Sequence, residues 1–168
     1  TGDGWTLKDL VISGNAEFSP SLEGDTVDPA LITSGLGAMA FKSRPSLKVG
    51  SAVSLYPLMT DKSYHDLALS QFTMWTPENE MKAQFIHPMP NVYDFGDADA
   101  LVDTALKNNI AVHGHALVFG EANAAWMQQT PTNNLKNVME DHIATIVGHY
   151  KTKVTEWDVI NEPLSDDD

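Results

Sequence analysis

From Leu47 onward the sequence alternates between short apolar, β-branched runs and longer stretches with helical spacing. That alternation is the strongest constraint on the fold, because strand–helix–strand units pair their strands in parallel through right-handed crossovers. The expected strands are 47–53, 73–75, 110–115 and 154–160. Helices are expected over 61–72, 97–108 and 134–151. Thr60 suits the N-cap of the first, with Tyr64, Leu67 and Phe72 spaced for one face. The segment 76–94 reads as a long loop. Four strands and three helices fill about 120 residues, whereas eight such units take about 250, so the pattern reads as half of a (β/α)8 barrel.

Residues 1–45 read differently. Trp5 to Ile12 suits one short strand, and a polar segment with Pro20, Gly24 and Pro29 suits a loop. Asp28-Pro29 suits a helix start, and Gly35 and Gly37 are expected to leave that helix short or frayed. The expected division is an N-terminal extension over 1–45, with residues 1–15 read as the end of a preceding β module, and the barrel part over 46–168.

Composition narrows the partner. A formal net charge of -13 over 168 residues argues against nucleic acid or an anionic membrane surface. A neutral small molecule or polysaccharide suits that balance. Hydrophobic residues make up 42% of the chain, enough for a packed core. With no cysteine, disulfides and thiolate metal sites are ruled out. No apolar run approaches the roughly 20 residues that span a bilayer.

The chemistry gathers at strand ends. In barrels of this type, catalytic residues sit at the C-terminal ends of the strands. There the sequence places Thr76-Pro77-Glu78-Asn79-Glu80-Met81-Lys82, then Gly114-His115-Ala116-Leu117-Val118-Phe119, then Asn161-Glu162. Carboxylates, amides, a lysine and a histidine on one rim suit a hydroxyl-rich ligand. Carboxyls on a sugar site point to glycoside hydrolysis, where one acid protonates the leaving oxygen and a second carboxylate attacks or activates water. His113 and His115 share one side of a strand, the spacing of a metal pair, but no third ligand is evident. One histidine is expected to bind sugar and the other to be packed or hydrogen-bonded. No metal or cofactor is expected. His142 and His149 read as ordinary side chains of their helix, and Ser165-Asp166-Asp167-Asp168 as a solvated charge run.

Three motifs carry a resemblance. Thr76-Pro77-Glu78-Asn79-Glu80-Met81-Lys82, Gly114-His115 with Leu117-Val118, and Trp157-Asp158-Val159-Ile160-Asn161-Glu162-Pro163 resemble successive strand-end motifs of glycoside hydrolase family 10, the endo-β-1,4-xylanases. The likeness covers about residues 47–168, in order and with fitting spacing. It implies a (β/α)8 TIM barrel and a retaining, double-displacement mechanism. It implies Glu162 as general acid/base, protonated at the start of each cycle, and Asn161 as the contact to the sugar 2-hydroxyl. It also implies that Glu78, Asn79 and Lys82 hold the glycone sugars and that His115 lines the same subsites. Trp126 falls where a family tryptophan is expected and is the best candidate for lining the site.

The departures are specific. Phe119-Gly120 stands where the family usually has Trp-His, and His113 stands where arginine is common. A phenyl ring keeps an apolar floor but loses the indole N–H. The family's nucleophile, a glutamate at the seventh strand, has no counterpart in these residues. The sequence is therefore expected to be part of a longer protein: a fragment, or one chain of a nicked enzyme whose C-terminal half is a second chain. The implied substrate is xylan with its xylo-oligosaccharides, and the implied location is extracellular or periplasmic, since xylan is too large to be imported intact. Two alternatives stay open: a barrel glycosidase acting on β-glucan or mannan, and a non-catalytic xylan-binding protein.

Overall fold

Trp75 and Val112 are register partners in a sheet of four parallel strands, and both side chains are buried. The computed structural model describes residues 35–164. Helix α1 (Gly35–Ser43) leads into β1 (Gly50–Val53), followed by α2 (Leu55–Thr60) and α3 (Lys62–Gln71). Next come β2 (Met74–Pro77), the one-turn α4 (Ala83–Ile86), α5 (Gly96–Lys107) and β3 (Ala111–Gly114). The remainder is β4 (Val118–Phe119), α6 (Ala125–Gln128), α7 (Thr132–His149), β5 (Glu156–Trp157) and β6 (Ile160–Asn161). The order β1-β2-β3-β5 is parallel throughout, and β4 pairs with β6, also in parallel.

Alternation along each strand decides which face is covered. Val53, Trp75, Val112 and Gly114 are buried, whereas Ala52 and Glu156 are exposed and Met74, Thr76, Ala111 and His113 are half-buried. The covered face packs on Ala68 of α3, on Leu101, Val102 and Ala105 of α5, and on Ile146 and Tyr150 at the end of α7. Each fully buried Leu or Ile contributes about 2 kcal/mol. The Trp75 indole N–H donates to the Ala68 carbonyl at 3.2 Å, so its polar edge is satisfied within the core. The other face lacks a helical layer among the described residues. No helix there is long and apolar enough to cross a membrane.

Several expectations are corrected. The N-cap of α3 is Asp61, whose carboxylate accepts from the backbone N–H of Ser63 and Tyr64, because Thr60 closes a separate helix, α2. Leu67 is 57% exposed; Ala68 is the residue that faces the core. The segment 76–94 contains the end of β2 and all of α4. The strand expected over 154–160 is two short pieces, β5 and β6, separated at Asp158-Val159. Backbone bonds still bridge that break: Asp158 N–H donates to Gly114 O, and Leu117 N–H to Asp158 O. Gly35 and Gly37 both belong to α1. A Cβ on Gly37 would stand 2.6 Å from Thr73 Cγ2, so the glycine lets the helix approach the start of β2. The strand expected over 5–12 and the helix start expected at Asp28-Pro29 lie outside the described residues.

Candidate active site

The rim begins where β2 runs out. Pro77 ends the strand, and the Glu78 N–H donates to the Val53 carbonyl at 2.9 Å. Glu80 then organises the turn. Its Oε2 accepts from the Asn79 N–H at 3.1 Å, while Oε1 accepts from the Leu55 N–H at 2.6 Å and the Ser54 hydroxyl at 3.4 Å. One carboxylate thereby caps α2 and fixes Asn79, joining the ends of β1 and β2. Lys82 Nζ donates to Asn79 Oδ1 at 3.1 Å and stands 5.4 Å from the centre of the Phe119 ring. That places an ammonium between an amide oxygen and an aromatic ring.

A second group forms where β3 meets β5. His115 Nδ1 lies 2.8 Å and His113 Nε2 3.1 Å from the same oxygen, Asp158 Oδ2. The spacing that suggested a metal pair instead lets two imidazoles share one carboxylate from the neighbouring strand. Behind them His113 Nδ1 lies 3.9 Å from Glu156, whose other oxygen accepts from Lys48 Nζ at 2.8 Å. Partial burial alone would raise the Asp158 carboxyl, but hydrogen bonds from His115 and His113 outweigh it and hold Asp158 below the usual carboxylate range. His115 Nε2 makes no hydrogen bond among the described residues. Its ring meets the edge of Phe119 with centres 5.9 Å apart.

β6 carries the candidate acid. Phe119 and Asn161 are register partners, which sets Asn161 beside the ring that Lys82 covers. Glu162 follows, exposed, with φ of 48° in the left-handed region that non-glycine residues rarely occupy. The structure thus brings Lys82, His115 and Asn161 to Phe119, with Asn79 bonded to Lys82 and Asp158 to His115, and Glu162 adjoins Asn161 in the chain. Glu78 lies on the same strand end with its side chain exposed. Trp126 is one step removed: half-buried, it packs on Ala83, Ala124 and Met127, and its indole N–H donates to the His87 carbonyl at 3.0 Å.

Sequence reasoning missed three residues here. Asp158 lay inside a quoted motif without a role, although two histidines at period-two spacing call for a shared partner. Glu80 lay in the first motif, and only the folded chain brings it to the start of α2. His87 carried no signal at all. It is buried against His142, a side chain of α7 that is itself fully buried. His149 does lie at the surface of α7, bonded to Asp99 at 2.8 Å and stacked on Phe95. Among the described residues no three His, Asp or Glu side chains are placed to hold a metal ion.

The sequence profile of Glycosyl hydrolase family 10 matches residues 38–168. A Beta-1,4-xylanase of Dictyoglomus thermophilum is 40% identical over 148 residues, covering 81% of this chain and 41% of that protein. Endo-1,4-beta-xylanase B of Thermotoga neapolitana is 36% identical, covering 78% of this chain and 38% of that protein. Among solved structures, xylanase 10B of Thermotoga petrophila RKU-1 in complex with xylobiose superposes with a TM-score of 0.73 at 36% identity. That match covers 79% of this chain and 41% of the other. The chain therefore spans about two fifths of the length of these relatives.

Proposed function

The chain belongs to glycosyl hydrolase family 10 and holds the N-terminal part of its (β/α)8 barrel, and from that premise we propose that the complete protein hydrolyses internal β-1,4 bonds of xylan with retention. Glu162 donates a proton to the leaving glycosidic oxygen. A glutamate outside residues 1–168 attacks the anomeric carbon and forms a glycosyl–enzyme ester. Glu162 then takes a proton from the water that displaces it, regenerating both carboxyls. Retention requires the two carboxyl groups about 5 to 5.5 Å apart. Asn161 contacts the sugar 2-hydroxyl, and Glu78, Asn79, Lys82 and His115 hold the glycone, with Trp126 lining the rim.

The observation that supports this reading is the meeting of Asn79 and Lys82 with Asn161, the residue before Glu162, at Phe119. Donors, acceptors and an aromatic face from three different strand ends suit a ring bearing hydroxyls. The uncovered face of the sheet belongs, in this proposal, to the barrel interior, closed by the remaining strands on the same polypeptide or on a second chain. Residues 1–45 form an extension whose last element, α1, docks on α3 through the Leu36 N–H to Gln71 Oε1 bond at 3.2 Å. Xylan is too large to enter a cell intact, so the proposed site of action is extracellular or periplasmic.

The test uses the complete protein. Glu162→Gln keeps the shape of the side chain but cannot give up a proton. Turnover of natural xylan is expected to fall by about a thousandfold, with xylohexaose binding retained. Turnover close to wild type would overturn the assignment. Parallel assays of sugar release from xylan, β-glucan and mannan settle the substrate: release from xylan alone supports the proposal, and preferential release from either other polymer replaces it.

A further inference from the structure

We propose that His87 and His142 form a neutral, directionally fixed imidazole pair that positions Trp126 and the segment carrying His115 and Phe119, and so sets the acid limit of sugar binding. The second half of this rests on reading the rim as a sugar site; the first half does not.

The proton positions follow from the partners. His142 Nε2 lies 2.8 Å from the Leu117 carbonyl, which only accepts, so Nε2 carries the hydrogen. Neutral His142 is then bare at Nδ1, which lies 3.0 Å from His87 Nδ1. His87 must therefore donate from Nδ1, leaving its Nε2 as a bare lone pair. That atom is buried and has no hydrogen-bond partner among the described residues. The chain of bonds runs in one direction: His87 to His142 to the backbone of Leu117.

Both ends of the pair bear on the rim. Leu117 stands between His115 and Phe119, while the His87 carbonyl accepts from the Trp126 indole. The packing around His87 offers no place for a charge. Tyr93 stacks on its ring at 3.9 Å, Trp126 meets it edge-on at 4.7 Å, and His142 lies nearly parallel at 5.2 Å. No carboxylate, lysine or arginine among the described residues hydrogen-bonds or pairs with either imidazole.

A further proton has only two places to go. On His87 Nε2 it would be an N–H in a pocket with no acceptor. On His142 Nδ1 it would face another N–H at 3.0 Å and break the pair. Burial, followed by the neighbouring His142, accordingly pushes His87 down to about 4, and burial lowers His142 against the contrary effect of the Leu117 carbonyl. The sign is that of a depressed base. The unfolded chain takes up its proton near 6.5 and the folded one near 4, so this stabilisation is complete above 6.5 and is lost as pH falls through that window.

The test is made on the complete protein. With 15N-labelled histidine, long-range proton–nitrogen correlations at neutral pH are expected to show His87 protonated at Nδ1 and His142 at Nε2. The reverse tautomer at either ring overturns the proposal. The Trp126 indole N–H resonance is expected to shift with the same midpoint as His87, and a resonance indifferent to that titration also overturns it. Xylohexaose affinity in the wild type should fall about tenfold from pH 6 to pH 3, as His87 takes up its proton near 4. In His87→Asn the amide nitrogen takes the place of Nδ1 but does not titrate, so the ratio between the two pH values should shrink to about threefold or less. An equal ratio in both proteins overturns the role in binding. Absence of xylohexaose binding at both pH values defeats the sugar-site reading alone, because the tautomers and the Trp126 resonance still decide the brace.

Discussion

Lys82 is the residue on which the rim's polar geometry turns. Its ammonium has Asn79 Oδ1 at 3.1 Å and the Phe119 ring at 5.4 Å, so it ties the end of β2 to the strand beside Asn161. Under the proposed function, an arriving sugar hydroxyl would meet a donor already aimed and already partly desolvated. Lys82→Met retains the stem and removes the charge. Xylohexaose binding to the complete protein is expected to weaken by roughly ten- to a hundredfold, as for loss of a charged hydrogen bond. Titration calorimetry measures this, and unchanged affinity would remove Lys82 from the sugar contacts. Glu162, at φ 48°, holds a backbone conformation that costs about 1 kcal/mol for a non-glycine residue. The bond from Asp158 N–H to Gly114 O and the β4–β6 pairing hold the chain around it.

At the level of elements, the approach of β5 to β3 depends on one missing side chain. Gly114 and Trp157 are register partners, and a Cβ on Gly114 would stand 2.1 Å from Cε3 and 2.4 Å from Cζ3 of the Trp157 indole. The ring cannot withdraw as a flexible chain could, because it packs against the core that contains Tyr150. Gly114→Ala is therefore expected to cost about 3 kcal/mol or to prevent folding, the upper end for overpacking. Chemical denaturation of the complete protein checks this, and a loss below about 1 kcal/mol would mean that the two strands separate easily. The same strand pair supplies Asp158 to His113 and His115, so the variant should also weaken sugar binding.

For the whole molecule, the uncovered face and free edges matter most. β1 and β5 are the outer strands of the described sheet, and Val159, Ile160 and Leu164 are exposed at one end of it. Unpaired strand edges beside apolar side chains invite association. Residues 1–168 produced alone are expected to self-associate, which light scattering detects as species well above 18.4 kDa. A stable monomer at that mass would show that the face is tolerated in water. In the relatives, this chain corresponds to about two fifths of the protein, and further strands are the natural cover for that face.

The alternation of strands and helices and the order of the strand-end motifs could be read directly, because both are local: apolar period and turn residues act over a few positions. The sequence by itself determined the parallel class of the fold and which residues stand at the strand ends. It misjudged the cap at Asp61, the helix α4 and the break between β5 and β6, where neighbours from other elements outweigh local preference. Asp158 reaching His113 and His115, Glu80 capping α2, and the burial of His87 against His142 were decided by tertiary structure alone. These contacts join residues 25 to 55 positions apart. Hydrogen bonds of that kind exist only once parallel strands have set the register and the helices have closed water out, which no pattern along the chain encodes.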